Sequence, residues 1–142
     1  MAGVEIRAAT DADASVVKSM ARSLATTFIM DDDAFKESFV RTKDGEDAQI
    51  LVAVNEFGLL VGYLLGFMHD TFFANGAVAW IEEMYVTETS RRGGVGEALV
   101  REFETWARAR EAKLVALATR RAASFYAAIG YEESATYFRR ML

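Results

Sequence analysis

The sequence predicts a mixed α/β fold, in which a central mixed β-sheet of six to seven strands is flanked by about four helices on both faces. Three observations predict it. Six short segments have the apolar pattern of strands, four have the helical period, and the second half of the chain alternates strand with helix. This alternation implies parallel pairing in the second half, and turn signals imply antiparallel hairpins in the first. A length of 142 residues corresponds to one domain, residues 1–142.

The first part of the chain predicts one strand and two helices. Residues 4–8 alternate between apolar and polar side chains, which is typical of a strand. Residues 10–13 offer a side-chain cap and acidic groups for a helix over 11–26. Three consecutive acids, Asp31 to Asp33, cap a second helix over 34–42.

Strands and helices continue through the rest of the chain. Five further segments have strand patterns: residues 50–54, 59–68, 77–87, 114–118 and 131–141. Two further segments have helical patterns: residues 95–110 and 122–129. On the longer of these helices, Glu97/Arg101 and Glu104/Arg108 are spaced as ion pairs on exposed positions.

Composition excludes several classes of function. The net charge of −5 argues against nucleic-acid binding, which needs a basic surface. The absence of cysteine excludes disulfides, thiolate metal sites and a cysteine acyl-enzyme, and a single histidine, His69, argues against a histidine-built zinc site. No apolar run is long enough to cross a bilayer, and residues 1–14 lack the apolar core of a signal peptide. We therefore expect a cytoplasmic protein with no metal, nucleic-acid or membrane partner.

A basic, glycine-rich segment lies between the strand at 77–87 and the helix at 95–110. It reads Arg91-Arg92-Gly93-Gly94-Val95-Gly96. Glycines let the backbone approach a ligand, and the first amides of a helix point outward as donors beside the positive end of its dipole. Two arginines at a helix start oppose that dipole unless an anion is bound there. The alternative is a helix-start turn that binds nothing. The segment thus suggests a pyrophosphate site.

Other phosphate loops do not fit this segment. A nucleotide P-loop requires Lys and then Ser or Thr after its last glycine, whereas Gly96 is followed by Glu97. A dinucleotide-binding turn requires a third glycine where this chain has Leu99.

The pattern that fits is Arg-x-x-Gly-x-Gly, filled by Arg91, Gly94 and Gly96 directly after a strand. It resembles the coenzyme A loop of the GCN5-related N-acetyltransferases (GNAT). A second block, residues 122–131 (AASFYAAIGY), resembles that family's A-x-x-F-Y-x-x-x-G-F/Y signature. The chain departs from the family in having Thr119 where Asn is frequent, and in a short final segment that lacks or merges one strand of the usual terminal hairpin.

The resemblance implies that the fourth and fifth strands splay apart and that the acyl-pantetheine arm of acetyl-CoA enters the gap. The resemblance also implies that the chain binds coenzyme A. The cofactor-binding residues that it implies are Met84, Tyr85, Val86, Arg91, Arg92, Gly93, Gly94, Val95, Gly96, Glu97, Thr119 and Ser124.

Three residues are candidates for catalysis. The Tyr126 phenol can donate a proton to the departing thiolate, or it can be an aromatic that packs beside Phe125. Glu82 or Glu83 can remove the proton of the attacking amine, with Glu82 favoured by resemblance to the polyamine-acetylating branch. Successive strand side chains face opposite ways, so only one of the two is expected to face the cleft. The alternative is that both are surface carboxylates.

Further residues are candidates for the site of the acceptor amine. His69 has the chemistry of a general base, but an exposed loop histidine is the commoner case. Asp31, Asp32 and Asp33 can form an acidic acceptor wall or simply a helix cap. Four aromatics can line the acceptor pocket, with core packing as the default: Phe28, Phe72, Phe73 and Trp80.

The sequence therefore predicts direct transfer of an acetyl group from acetyl-CoA to a primary amine of a small molecule or peptide. Two alternatives remain, an acyl-CoA-binding regulatory domain without transfer activity and an interaction protein whose loop binds nothing. The acceptor amine cannot be chosen among polyamines, peptide N-termini, lysines and aminated antibiotics. By resemblance to single-domain relatives, a homodimer formed through sheet edges or terminal strands is also expected.

Overall fold

Five strands form one sheet in the computed structural model, which describes residues 3–142; Met1 and Ala2, the first two residues of the predicted domain, lie outside the described residues. The strands are β1 (Glu5–Ala8), β2 (Ala48–Val54), β3 (Leu60–Thr71), β4 (Gly76–Val86) and β5 (Val115–Leu117). Their order across the sheet is their order along the chain. β1 to β4 pair antiparallel, and β5 joins β4 in parallel, as the hairpin and alternation patterns predict.

All four predicted helices are present. They are α1 (Ala14–Leu24), α2 (Asp32–Asp44), α3 (Val95–Ala109) and α4 (Ala123–Ala128). The helix predicted to start at residue 11 opens with a 3-10 turn over Asp11–Asp13 before α1. At this turn the Asp13 carboxylate accepts a hydrogen bond from the Thr10 N–H at 2.8 Å, which is the predicted cap. No helix among residues 3–142 is long and apolar enough to span a bilayer.

Helices cover both faces of the sheet, and the alternation of β2 shows how. Leu51 belongs to one buried cluster together with Phe103 of α3. Its neighbour Val52 belongs to a second cluster, together with Met20 of α1 and Phe39 of α2. Because successive side chains of a strand face opposite sides, the sheet separates a core under α3 from a core under α1 and α2. The predicted layering is therefore confirmed.

The sheet has fewer strands than the six to seven predicted, because residues 131–141 do not form a strand. Beyond a bond from the Tyr131 N–H to the Tyr126 carbonyl, this segment makes no backbone hydrogen bond within the described residues. Strand propensity yields a strand only where a neighbouring backbone supplies hydrogen bonds, and this segment does not pair with the outer edge of β5. The prediction of a final strand was therefore wrong for the single chain.

The expectation that Glu104 lies on an exposed position of α3 was also wrong. Glu104 is buried, at 8% exposure, and accepts the Tyr131 hydroxyl at 2.7 Å and Arg101 at 3.1 Å. Arg101 also donates to the Ile129 carbonyl at 2.8 Å. This network ties the end of α4 to α3, a role that the local pattern of the helix could not reveal.

Candidate functional site

A gap opens between β4 and β5. The two strands pair at only three positions, from Ala79–Val115 to Ile81–Leu117. β4 continues to Val86 and is paired there with β3 alone among the described residues. The outer backbone groups of residues 82–85 are therefore free to bond a ligand, whereas the Val86 carbonyl accepts from Arg91. The strands separate where the resemblance implied a splay.

Glu82 is the extra residue of a β-bulge at the start of this gap. Gly66 of β3 pairs with Ile81, and the preceding Leu65 pairs with Glu83, so Glu82 has no partner across the strand pair. The expectation that only one of the two glutamates faces the cleft rested on regular alternation. A bulge interrupts alternation, so alternation alone does not decide which of the two carboxylates faces the cleft. Both residues lie at the start of the gap.

The two carboxylates differ in their surroundings. Glu83 is half-buried and accepts a hydrogen bond from the Tyr63 hydroxyl at 2.8 Å. Tyr63 is only 1% exposed, and its burial together with the Glu83 carboxylate raises its pKa far above the ordinary value for tyrosine. The hydroxyl therefore remains protonated and donates to Glu83. The Glu82 side chain is exposed and makes no hydrogen bond within residues 3–142.

Tyr63 is not among the site residues that the sequence predicts. It lies in an apolar run of β3, and the residue that it contacts is 20 positions away along the chain. Only the register of β3 and β4, including the bulge, brings the two together. No local signal in the sequence pointed to this pair.

The basic, glycine-rich segment turns tightly from β4 into α3. Arg92 and Gly94 both have left-handed backbone conformations, with φ of 69° and 83°. This conformation is natural for glycine and strained for arginine. The N–H groups of residues 93–96 find no acceptor within residues 3–142. Four unpartnered donors at the positive end of a helix suit an anion such as a pyrophosphate.

Arg91 fastens this segment to the end of β4. Its Nε donates to the Val86 carbonyl at 2.9 Å, and its guanidinium lies 5.4 Å from the centroid of the Tyr85 ring. Thr87 lies between Val86 and Arg91 in the chain, and its hydroxyl is buried without a hydrogen-bond partner. An unpartnered buried hydroxyl is rare in folded proteins, and this one lies between the gap and the amide donors.

Gly96 marks the point where β4, α3 and α4 meet. A Cβ atom at this position would lie 3.2 Å from the Phe125 ring and 3.6 Å from the end of Met84. The absence of a side chain therefore lets α4 pack directly on the segment that carries the free amides. The two sequence blocks of the resemblance are adjacent in space.

Tyr126 lies on α4 and packs in the core under α3. It is 8% exposed, with its ring 4.9 Å from that of Phe125 and 5.8 Å from that of Tyr131. Burial raises the pKa of the Tyr126 hydroxyl, which is thus held in its protonated form. Tyr126 therefore packs beside Phe125, as the structural alternative expected, and also has a phenol that can donate a proton.

Thr119 and Ser124 lie at the start of α4. The Thr119 hydroxyl accepts a hydrogen bond at 3.0 Å from the N–H of Ala122, the residue directly before this short helix. Ser124 is exposed in its first turn. The hydroxyl of Thr119 thus has a structural partner in addition to any ligand.

The acidic triplet forms the cap of α2. Asp31 accepts the Ala34 N–H at 2.8 Å, and Asp32 pairs with Arg22 at 2.9 Å. Asp31 therefore forms the predicted helix cap, while Asp32 lies in the first turn of α2 and links it to α1.

The remaining candidates lie outside the gap. His69 pairs with Val78 in the β3–β4 hairpin, so it lies about 13 Å along the strands from Glu82. The expected core packing fails for three aromatics, because Phe28, Phe72 and Phe73 are 69%, 101% and 78% exposed. They lie in the α1–α2 loop and at the tip of the β3–β4 hairpin. Trp80 is half-buried on β4.

Residues 18–131 match the acetyltransferase (GNAT) family. The chain belongs to this family. Over 76 residues it is 36% identical to an aminoglycoside N(6′)-acetyltransferase type 1 of Klebsiella aerogenes. That match covers 51% of this chain and 49% of the relative, so the match spans about half of the relative's length.

Solved structures share the whole fold of this acetyltransferase-family chain. A transcriptional regulator from Bacillus halodurans C-125 superposes with a TM-score of 0.86 at 23% identity, covering 98% of this chain and 99% of that one. The enzyme AAC(6′)-Iy, solved with the bisubstrate analogue CoA-S-monomethyl-acetylneamine, superposes with a TM-score of 0.82 at 18% identity and covers 98% and 99% of the two chains. Structural neighbours of this fold thus bind coenzyme A analogues. Among residues 3–142, no group of three or more His, Cys, Asp or Glu side chains is arranged to hold a metal ion.

Proposed function

We propose that this family member transfers an acetyl group from acetyl-CoA to a primary amine by direct attack in a ternary complex. The observation that carries this proposal is the arrangement along β4. The strand leaves β5 at Ile81, places Glu82 and Glu83 at the start of the gap, and leads into the four free amides before α3. A thioester in the gap and a pyrophosphate at the helix start would lie in one continuous path.

The coenzyme would be held mainly by backbone groups. In this proposal the amides of residues 93–96 bind the pyrophosphate, while Arg91 and Arg92 add positive charge. The outer backbone edge of β4 pairs with the amides of the pantetheine arm. The residues assigned to the coenzyme are Met84, Tyr85, Val86, Arg91, Arg92, Gly93, Gly94, Val95, Gly96, Glu97, Thr119 and Ser124.

The reaction forms one bond and breaks one. The amine nitrogen attacks the thioester carbonyl carbon, a C–N bond forms, and the C–S bond breaks to release the thiolate of coenzyme A. An ammonium acceptor must first lose a proton, which Glu82 or Glu83 accepts through a water. The Tyr126 hydroxyl, protonated because of its burial, supplies a proton to the thiolate, and the second proton that the attacking nitrogen loses as the amide forms restores the hydroxyl. The products are an acetamide, free coenzyme A and a proton.

A cationic acceptor fits this site best. Two carboxylates border the gap, and the chain carries a net charge of −5. The similar Klebsiella enzyme is named for an aminoglycoside, which is a polyamine in chemical terms. We therefore place small polycationic amines ahead of peptide N-termini and protein lysines.

A panel of amines tests the proposed activity. We expect free thiol to be released from acetyl-CoA faster in the presence of a polyamine or an aminoglycoside than with buffer alone. Coenzyme A binding in calorimetry without amine-dependent thiol release would instead support an acyl-CoA-binding regulatory domain. Absence of both binding and release would contradict the coenzyme site itself.

We also propose that two copies pair through residues 131–142. Four large apolar side chains of this segment are exposed: Tyr137, Phe138, Met141 and Leu142. The segment lacks a backbone partner, and the outer edge of β5 is unpaired among the described residues. An open edge and an unpaired strand-forming segment are complementary, and a second copy would supply a partner for each.

A further inference from the structure

The hydrogen bond between Tyr63 and Glu83 has no role in the proposed transfer of acetyl and protons. Tyr63 is 1% exposed and belongs to the core cluster that includes Phe39 and Val52, so its ring has no freedom to follow a mobile partner. Its hydroxyl donates to Oε1 of Glu83 at 2.8 Å. The bond therefore fixes the Glu83 carboxylate and leaves Oε2 to accept from another donor.

Glu82 has the opposite character, although it is adjacent. Glu82 is the bulge residue, and its side chain is exposed and makes no hydrogen bond within residues 3–142. A group that takes a proton from one molecule and releases it to water benefits from such freedom. A group that orients a substrate benefits from being fixed. The two carboxylates are thus suited to different tasks.

We propose that Tyr63 is a positioning residue that fixes Glu83 as the anchor for a second, non-reacting ammonium group of the acceptor, while Glu82 serves the reacting amine. This inference rests on the proposed acetyl transfer and specifies its substrate class, amines that carry a further positive charge near the reacting nitrogen. Glu83 makes an ion pair with the second ammonium, and no proton or bond is exchanged there.

Two amines of equal carbon number test the inference. Putrescine carries two ammonium groups and butylamine carries one. In Tyr63→Phe we expect kcat/KM for putrescine to fall about tenfold, through KM, because the anchor loses its fixed geometry. The value for butylamine should change far less. Glu83→Gln should produce the same loss with putrescine, and combining it with Tyr63→Phe should add little to that loss, because both changes remove one anchor.

Tyr131→Phe is the matched control. It removes a part-buried tyrosine-to-glutamate hydrogen bond of similar length, 2.7 Å to Glu104, at the α3–α4 contact. A general effect of lost stability would appear in this variant too, and would lower the rates with both amines alike. We expect its ratio of putrescine to butylamine rates to equal that of the unaltered protein.

Calorimetry separates this inference from the proposed activity. Putrescine is titrated into the complex with coenzyme A for the unaltered protein, Tyr63→Phe and Glu83→Gln. We expect binding to weaken about tenfold in both variants, whether or not acetyl transfer is observed. Equal putrescine binding in all three proteins overturns the inference, as does absence of binding to the unaltered protein. If putrescine binds selectively but no amine releases thiol, only the proposed transfer fails.

Discussion

Tyr126 illustrates how one side chain can serve both packing and chemistry. Its ring contributes to the core under α3, while burial raises the pKa of its hydroxyl and keeps the proton in place. We expect Tyr126→Phe to lower kcat about 100-fold, because the departing thiolate loses its proton donor, while the ring still packs. Coenzyme A affinity should stay nearly constant.

Rates with a polyamine acceptor and calorimetry with coenzyme A check this prediction. The exposed Tyr137→Phe, which also removes one phenol hydroxyl, serves as the control and should retain its rate. If Tyr126→Phe turns over at the unaltered rate, the phenol has no part in the reaction. Because its pKa is raised, the Tyr126 phenol keeps its proton near neutral pH. A loss of activity just above neutral pH would therefore be caused by the titration of another group.

At the scale of elements, we expect the contact of α4 with Gly96 of α3 to position the proposed coenzyme loop. Gly96→Ala adds a Cβ that lies 3.2 Å from Phe125, so the ring or the loop must shift by a few tenths of an ångström. We expect coenzyme A affinity to fall several-fold, since the free amides move with the loop. Alanine also raises helix propensity by up to about 1 kcal/mol, so the unfolding temperature should change little.

Calorimetry and thermal unfolding of the same Gly96→Ala protein separate these two effects. Unchanged affinity for coenzyme A would mean that the loop adapts freely and that close packing on Phe125 does not position the amides.

The link between β1 and α1 is a second feature at this scale, and it depends on pH. The Arg7 guanidinium, bonded to Asp13 at 2.7 Å, and the Thr10 N–H lower the pKa of the Asp13 carboxyl. A lowered pKa stabilises the folded state above the ordinary pKa of aspartate, and this contribution is lost as pH falls through the lowered value. We expect Asp13→Asn to reduce the free energy of unfolding by about 1–2 kcal/mol at pH 7.

Denaturant unfolding from neutral to acidic pH checks the Asp13 prediction. The difference between the two proteins should shrink as pH falls below about 4, where the Asp13 carboxyl of the unfolded chain begins to take up a proton, and should vanish below the lowered pKa of the folded state. The exposed Asp44→Asn is the control and should leave stability nearly unchanged. A difference that stays constant across this range would contradict the role given to the carboxylate charge.

At the scale of the whole molecule, the proposed pairing of the final segment with a second copy predicts a dimer. Tyr137 and Phe138 are 59% and 87% exposed, although both residue types favour strands. If the segment pairs with a second copy, changing both residues to Ser should shift the protein from dimer to monomer. The buried core lies elsewhere, so the fold should persist.

Light scattering after size exclusion, over a range of concentrations, measures this shift. Phe57→Ser, an exposed aromatic in the β2–β3 turn, is the matched control and should leave the mass unchanged. A monomeric mass for the unaltered protein at high concentration, or a dimer that survives both tail substitutions, would contradict the proposed pairing.

Most elements of the fold and the family could be predicted from local patterns in the sequence. The predicted features are the order and approximate bounds of nine of its ten predicted elements, the turn before α3, and the two blocks that indicate the family. Local patterns suffice because caps, apolar period and glycine conformations depend on residues within a few positions of one another.

Contacts between segments that are distant in sequence could be seen only in the folded structure. The bulge at Glu82, the Tyr63–Glu83 hydrogen bond and the burial of Glu104 all depend on register or packing between segments that are remote in sequence. The final segment was predicted as a strand because its residues favour one, and it is not a strand because no backbone in the described chain pairs with it. Pairing is a property of two segments, so the pattern of one segment alone cannot fix it.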